Sequence, residues 1–121
     1  MITKNDIEKL VVNMFEYSTT EKVIGMIGDY YHCVKMVDIG ALPNATAKNV
    51  NHGISNLKDI ISVRGSAHNA NYQSMFPLPI PHPTASFAVS IGGFDSTKFI
   101  ITTGFNYSAF TGFLVLEYTR S

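Results

Sequence analysis

From Glu16 onward the apolar residues of this chain favour every second position, and a period of two commits a chain to strands. In "SFAVSI", Phe87, Val89 and Ile91 fall on one face and Ser86, Ala88 and Ser90 on the other. In "FLVLEYT", Leu114, Leu116 and Tyr118 oppose Phe113, Val115 and Glu117. The pattern predicts strands over residues 22–27, 31–39, 45–52, 58–64, 85–92, 97–103 and 111–119. Turn-forming residues separate them: "GD" at 28–29, "LPN" at 42–44, "GFDS" at 93–96 and "GFNYS" at 104–108. About seven short strands with no helix between them imply a mainly β fold, an antiparallel β-sandwich and not a βαβ arrangement.

The first residues follow another rule. Ile7, Leu10, Val11, Met14 and Phe15 recur at helical spacing, and Asn5 with Glu8 has the form of a capping box. A short amphipathic α-helix is expected over 4–15, too short to be stable alone in water, so its apolar stripe must dock. The chain divides into a helical anchor or trimerisation segment, 1–19, and a β-sandwich domain, 20–121. Within the second, Pro77, Pro79, Pro81 and Pro83 recur at every second residue. Such a segment cannot serve a central sheet ladder; it is expected at a sheet edge, as a stiff crossover between sheets.

Composition narrows the function. With 121 residues and 45% hydrophobic content the chain can bury a core without staples. Nine basic residues balance nine acidic ones, which speaks against a nucleic-acid or acidic-membrane binder. No apolar run approaches the roughly 18 residues of a membrane span, and "MITKNDIEKL" carries charges where a signal peptide is apolar. Manufacture without Sec export is expected, with release by another route such as lysis. Cys33 is the single cysteine, so no internal disulfide can form.

Candidate chemistry is sparse. His32, His52, His68 and His82 lie far apart without paired spacing, so no metal site and no cofactor is expected. Neither "GSA" at 65–67 nor "DST" at 95–97 has the form of a nucleophile elbow, and no two carboxylates stand out as a catalytic pair. The chain is expected not to be an enzyme, with no catalytic residue to name. What remains is recognition. Tyr72, Phe76, Phe105, Tyr107 and Phe110 fall in or beside predicted loops, where aromatic rings can stack on a sugar or protein surface. The alternative is that such rings plug the sandwich ends or a subunit interface.

Four stretches, "EYSTTEKVIG" (16–25), "DIGALPNATAKNVNHGISN" (38–56), "FPLPIPHPT" (76–84) and "IITTGFNYSAFTGFLVLEYT" (100–119), together resemble a β-domain common at the ends of phage head and tail fibres, especially in phages of gut bacteria. The run "GALPNATAKNVNHGIS" followed by "SAFTGFLVLEYT" is the most specific part. The chain departs from the family pattern at 26–31, where "MIGDYY" replaces a tryptophan followed by an Asp-Gly-Lys turn. The resemblance implies a β-sandwich module, location in the virion after assembly in the host bacterial cytoplasm, and homotrimers. It implies no catalytic residue. In that setting Ile7, Leu10, Val11 and Met14 are expected to form an inward-facing seam or anchor. The absence of a shaft fits a short head fibre or capsid decoration, with other virion proteins as partners. The alternative is the receptor-binding tip of a tail fibre recognising bacterial surface glycans.

Overall fold

The computed structural model describes residues 3–5 and 18–121. Among the described residues eight strands follow one another: β1 (Lys22–Ile27), β2 (Tyr30–Ala41), β3 (Ala47–Asn51), β4 (Leu57–Asn69), β5 (Met75–Leu78), β6 (Val89–Gly92), β7 (Lys98–Thr103) and β8 (Phe110–Arg120). They form a five-stranded sheet in the order β1-β2-β8-β4-β5 and a three-stranded sheet in the order β3-β7-β6. Every named pair is antiparallel.

The last strand lies at the centre of the larger sheet, and its alternation explains why. Tyr118 sits between Cys33 and Ile60, Leu116 between Lys35 and Val63, and Leu114 between Val37 and Gly65. Leu114, Leu116 and Tyr118 are fully buried, and Val89, Phe99 and Ile101 of the smaller sheet join them in one core. Burying each such side chain stabilises the fold by roughly 1.5–3 kcal/mol. Phe99 is stacked on Phe94 with ring centroids 5.0 Å apart.

Three strand expectations change. The strand expected over 58–64 continues to Asn69. Gly65, Ser66 and Ala67 carry the strand onward, and these small residues meet a crowded stretch of β8: a Cβ on Gly65 would lie 2.0 Å from the Phe113 carbonyl oxygen. The strand expected over 85–92 begins only at Val89, because Ala85–Phe87 is a 3₁₀ turn in which the Phe87 N–H donates to the Thr84 carbonyl at 3.0 Å. The turn presses on Gly104, where a Cβ would come within 2.6 Å of the Ala85 carbonyl oxygen. The eighth strand, β5, lies inside the proline-rich segment, at the outer edge of the larger sheet. From there the chain passes to the smaller sheet, where Ile80 and Val89 exchange backbone hydrogen bonds of 3.0 and 3.1 Å. The segment is thus an edge and a crossover together.

Of the expected N-terminal helix, only Lys4 and Asn5 are described, both helical; Ile7, Leu10, Val11 and Met14 lie outside the described residues. Where the chain re-enters, Ser18 accepts a backbone hydrogen bond from Met36 at 2.8 Å. Glu21 then fastens the entry to β8. Its Oε1 accepts from the Tyr118 hydroxyl at 2.5 Å and from Arg120 Nε at 2.8 Å. Burial alone would raise the Glu21 carboxyl pKa. The hydrogen bonds from Arg120 and Tyr118, with the guanidinium charge, outweigh burial and hold it below its ordinary value. Arg120 also lies over the Tyr31 ring, 4.8 Å from its centroid.

Candidate recognition surface

The loops that follow β2, β4 and β7 collect at one end of the domain, joined by the segment that leads into β6. Backbone bonds knit two of them. Leu42 donates to the Phe110 carbonyl at 2.9 Å, Ala45 to Phe105 at 2.9 Å, and Tyr107 to Pro43 at 3.2 Å. The buried Thr103 hydroxyl donates to the Pro43 carbonyl at 3.0 Å. With Pro43 accepting twice, the "LPN" and "GFNYS" turns form one unit.

Aromatic rings fill this end. Phe76, Tyr107 and Phe110 contact one another, with centroids 4.9 to 5.9 Å apart, and all three pack against the core. The Tyr107 hydroxyl donates to the Phe87 carbonyl at 2.9 Å, so it is already committed. Phe105 continues the chain of rings outward, 5.7 Å from Tyr107 and 5.7 Å from Phe87, and Phe87 meets His82 at 5.3 Å. Phe105 and Phe87 are about half exposed, at 50% and 44%. Beside them a shallow groove of about 630 Å³ runs between the proline segment and β6, lined by Pro79, Pro81, His82, Val89 and Ile91.

The five aromatic residues expected at a contact surface therefore separate. Phe76, Tyr107 and Phe110 hold the end of the domain together, Phe105 presents a ring to solvent, and Tyr72 stands apart on the loop between β4 and β5. Tyr72 is stacked on His68 at 4.0 Å with 12° between the ring planes, and is 64% exposed. Phe87 is not among the expected contact residues because the alternation of "SFAVSI" assigns it to a strand. The preceding "PHPT" is the available signal, since such residues favour turns.

Several titratable groups have structural partners. His52 is buried, donates from Nε2 to the Asp95 carbonyl at 2.8 Å and accepts at Nδ1 from the Ile54 N–H at 3.0 Å. His32 pairs with Glu117 at 2.7 Å, and His82 Nδ1 accepts from the Thr84 N–H at 3.0 Å. The Asp95 carboxylate is held well below its usual range by the Thr97 N–H, and then by the side chain and N–H of Lys98. Burial pushes the Cys33 thiol pKa up, and nearby Glu21 adds to the effect. Among the described residues no three His, Cys, Asp or Glu side chains converge, and no helix is long and apolar enough to cross a membrane.

No protein-family model and no curated protein matches the chain. Among solved structures it is similar to an N-truncated R2-type pyocin tail fibre, with 11% identity and a TM-score of 0.39 over 96% of this chain and 43% of that one. This chain therefore spans less than half the length of that fibre chain.

Proposed function

We propose that this chain is a structural protein of a bacteriophage particle, a short trimeric head fibre or capsid decoration whose β-domain faces outward. The reading rests on the sequence resemblance, and one observation supports it. The stretches that carry the resemblance contain the residues that knit the domain: "LPN" with "GFNYS", the buried His52 of "HGIS", and the central strand of "FLVLEYT". Residues 1–19 supply the anchor and threefold seam, other virion proteins are its neighbours, and no catalytic group, cofactor or nucleic acid enters its role. Two measurements test this. Labelled antibody viewed on intact particles by electron microscopy should mark the head. Native mass of the whole chain should be three times that of one chain, falling to one in Leu10→Asp. Particles left unlabelled would overturn the virion reading, and an unchanged mass in Leu10→Asp would remove the seam.

A second reading, the receptor-binding tip of a tail fibre recognising bacterial surface glycans, draws support from the exposed rings of Tyr72, Phe87 and Phe105 at the loop end. Label at the tail tip would select it.

A further inference from the structure

The loop between β4 and β5 is built around an aromatic ring that it does not bury. Asn69 closes the loop on itself: its N–H donates to the Ser74 carbonyl at 3.1 Å, and its Oδ1 accepts from the Ser74 N–H at 2.8 Å. Inside that closure Asn71 and Tyr72 both adopt left-handed backbone, with φ of +63° and +55°. Asparagine tolerates that region, but tyrosine enters it against steric resistance and stays only where its surroundings hold it. Here the Tyr72 ring lies parallel to His68 at 4.0 Å. The strained backbone and the imidazole fix the plane of the ring while its other face remains in water, at 64% exposure. Among the described residues Tyr72 is not one of those that pack on the core.

The surroundings select the kind of ligand. No Asp, Glu, Lys or Arg occurs from Gly65 to Phe94. A nucleic acid or acidic polysaccharide would need cationic partners, and this segment has none. A peptide adding a strand would need a free edge, but β5 beside the loop contains Pro77 and is followed at once by Pro79, neither of which has an N–H to donate. The exposed Asn71 and Gln73 are the chain neighbours of Tyr72, and each carboxamide can donate to one hydroxyl and accept from its neighbour. A flat, fixed aromatic face with exposed carboxamides on the adjacent residues matches the apolar face and vicinal hydroxyls of a pyranose.

We propose that the outward face of Tyr72, with Asn71 and Gln73 beside it, is a subsite for one ring of an uncharged saccharide. This deepens the second reading above and rests on attachment to glycans, not on a head or tail position. The site is open and single-ringed, so binding is weak for one unit and gains strength from several copies.

The test uses the full chain and oligosaccharides of glucose, galactose, mannose and N-acetylglucosamine, with polygalacturonate as the acidic control. Saturation-transfer NMR and amide shift mapping should show binding of a neutral oligosaccharide, with the shifts centred on Asn71, Tyr72 and Gln73. Tyr72→Ala should weaken it about tenfold, the worth of one stacked ring, and Tyr72→Phe should keep it within about threefold. Melting temperatures of both variants should match the parent, because the ring is exposed. No binding by the parent, full binding by Tyr72→Ala, or preference for the acidic polymer would each overturn the subsite. Shifts centred on Phe87 and Phe105 would overturn it too, while leaving glycan attachment by this domain standing.

Discussion

At the loop end, Phe76, Tyr107 and Phe110 pack on one another and on the core, and the Tyr107 hydroxyl ties the turn before β8 to the turn before β6. At the other end, the hairpin of β1 and β2 leaves Val23, Ile24, Met26 and Ile27 with about half of each side chain in water. The two regions are similarly apolar in composition but opposite in commitment. Rings in loops, which suggest a contact surface when read from sequence, mostly serve as structure. Aliphatic residues in a strand, which suggest a core, stand uncovered among the described residues. Position within the sheet explains the contrast: β1 is an edge strand with one neighbour, whereas the loop end is bounded by strands of both sheets.

That contrast can be broken most directly at Tyr107. Tyr107→Ala removes a ring that touches Phe76, Phe105 and Phe110 and should lower the free energy of unfolding by about 3 kcal/mol. Tyr107→Phe, losing only the hydrogen bond to Phe87, should cost about 1 kcal/mol. Urea denaturation measures both, and a near-neutral Tyr107→Ala would mean the loop end is not held by its rings. Gly104→Ala, which drives a Cβ against the backbone of the Ala85 turn, should cost about 2 kcal/mol by the same measurement.

The clasp at Glu21 should give a smaller effect with a pH signature. Its folded carboxyl pKa is lowered from 4.5, so its contribution is fully present above that value and lost as pH falls through the folded pKa. Glu21→Gln should cost about 1 kcal/mol at pH 7, and the gap between variant and parent should close as the solution is acidified below 4.5. A gap that stays constant down to pH 2 would remove the clasp. The smallest change belongs to the hairpin: Ile24→Thr and Met26→Thr should each shift stability by less than about 0.5 kcal/mol. A loss above about 1 kcal/mol at either position would show that β1 is covered in the native protein and would erase the comparison.

Much of the fold is legible in sequence. Seven of the eight strands answer to predicted ones because their period of two reflects one buried face, as at Leu114, Leu116 and Tyr118. β5 is absent from the predicted strands because Pro77 within it and Pro79 just after it break the strand pattern, although the edge position expected for the segment accommodates them. The true length of β4 is hidden because Gly65 and Ala67 are small for reasons of crowding across the sheet, which no local pattern records. Of the residues expected at a contact surface, Tyr72 stands in solvent, but sequence cannot tell its ring from that of Tyr107. The difference lies in a hydrogen bond to a carbonyl twenty residues away in sequence. The Glu21–Arg120 pair is likewise invisible, its partners being 99 residues apart.

That pair also decides how the domain bears load. Tension applied to the chain ahead of Ser18 does not arrive at the loose end of an edge strand. Through the Ser18–Met36 bond it reaches β2, and through Glu21 it reaches Tyr118 and Arg120 on β8, the middle strand of five. The pull is shared across the ladders on both sides of β8 and does not peel β1 away one bond at a time. A domain held by its N-terminal side and tugged from its far loops would resist as a block, with the Ser18–Met36 bond and the Glu21 carboxylate as its first rivets.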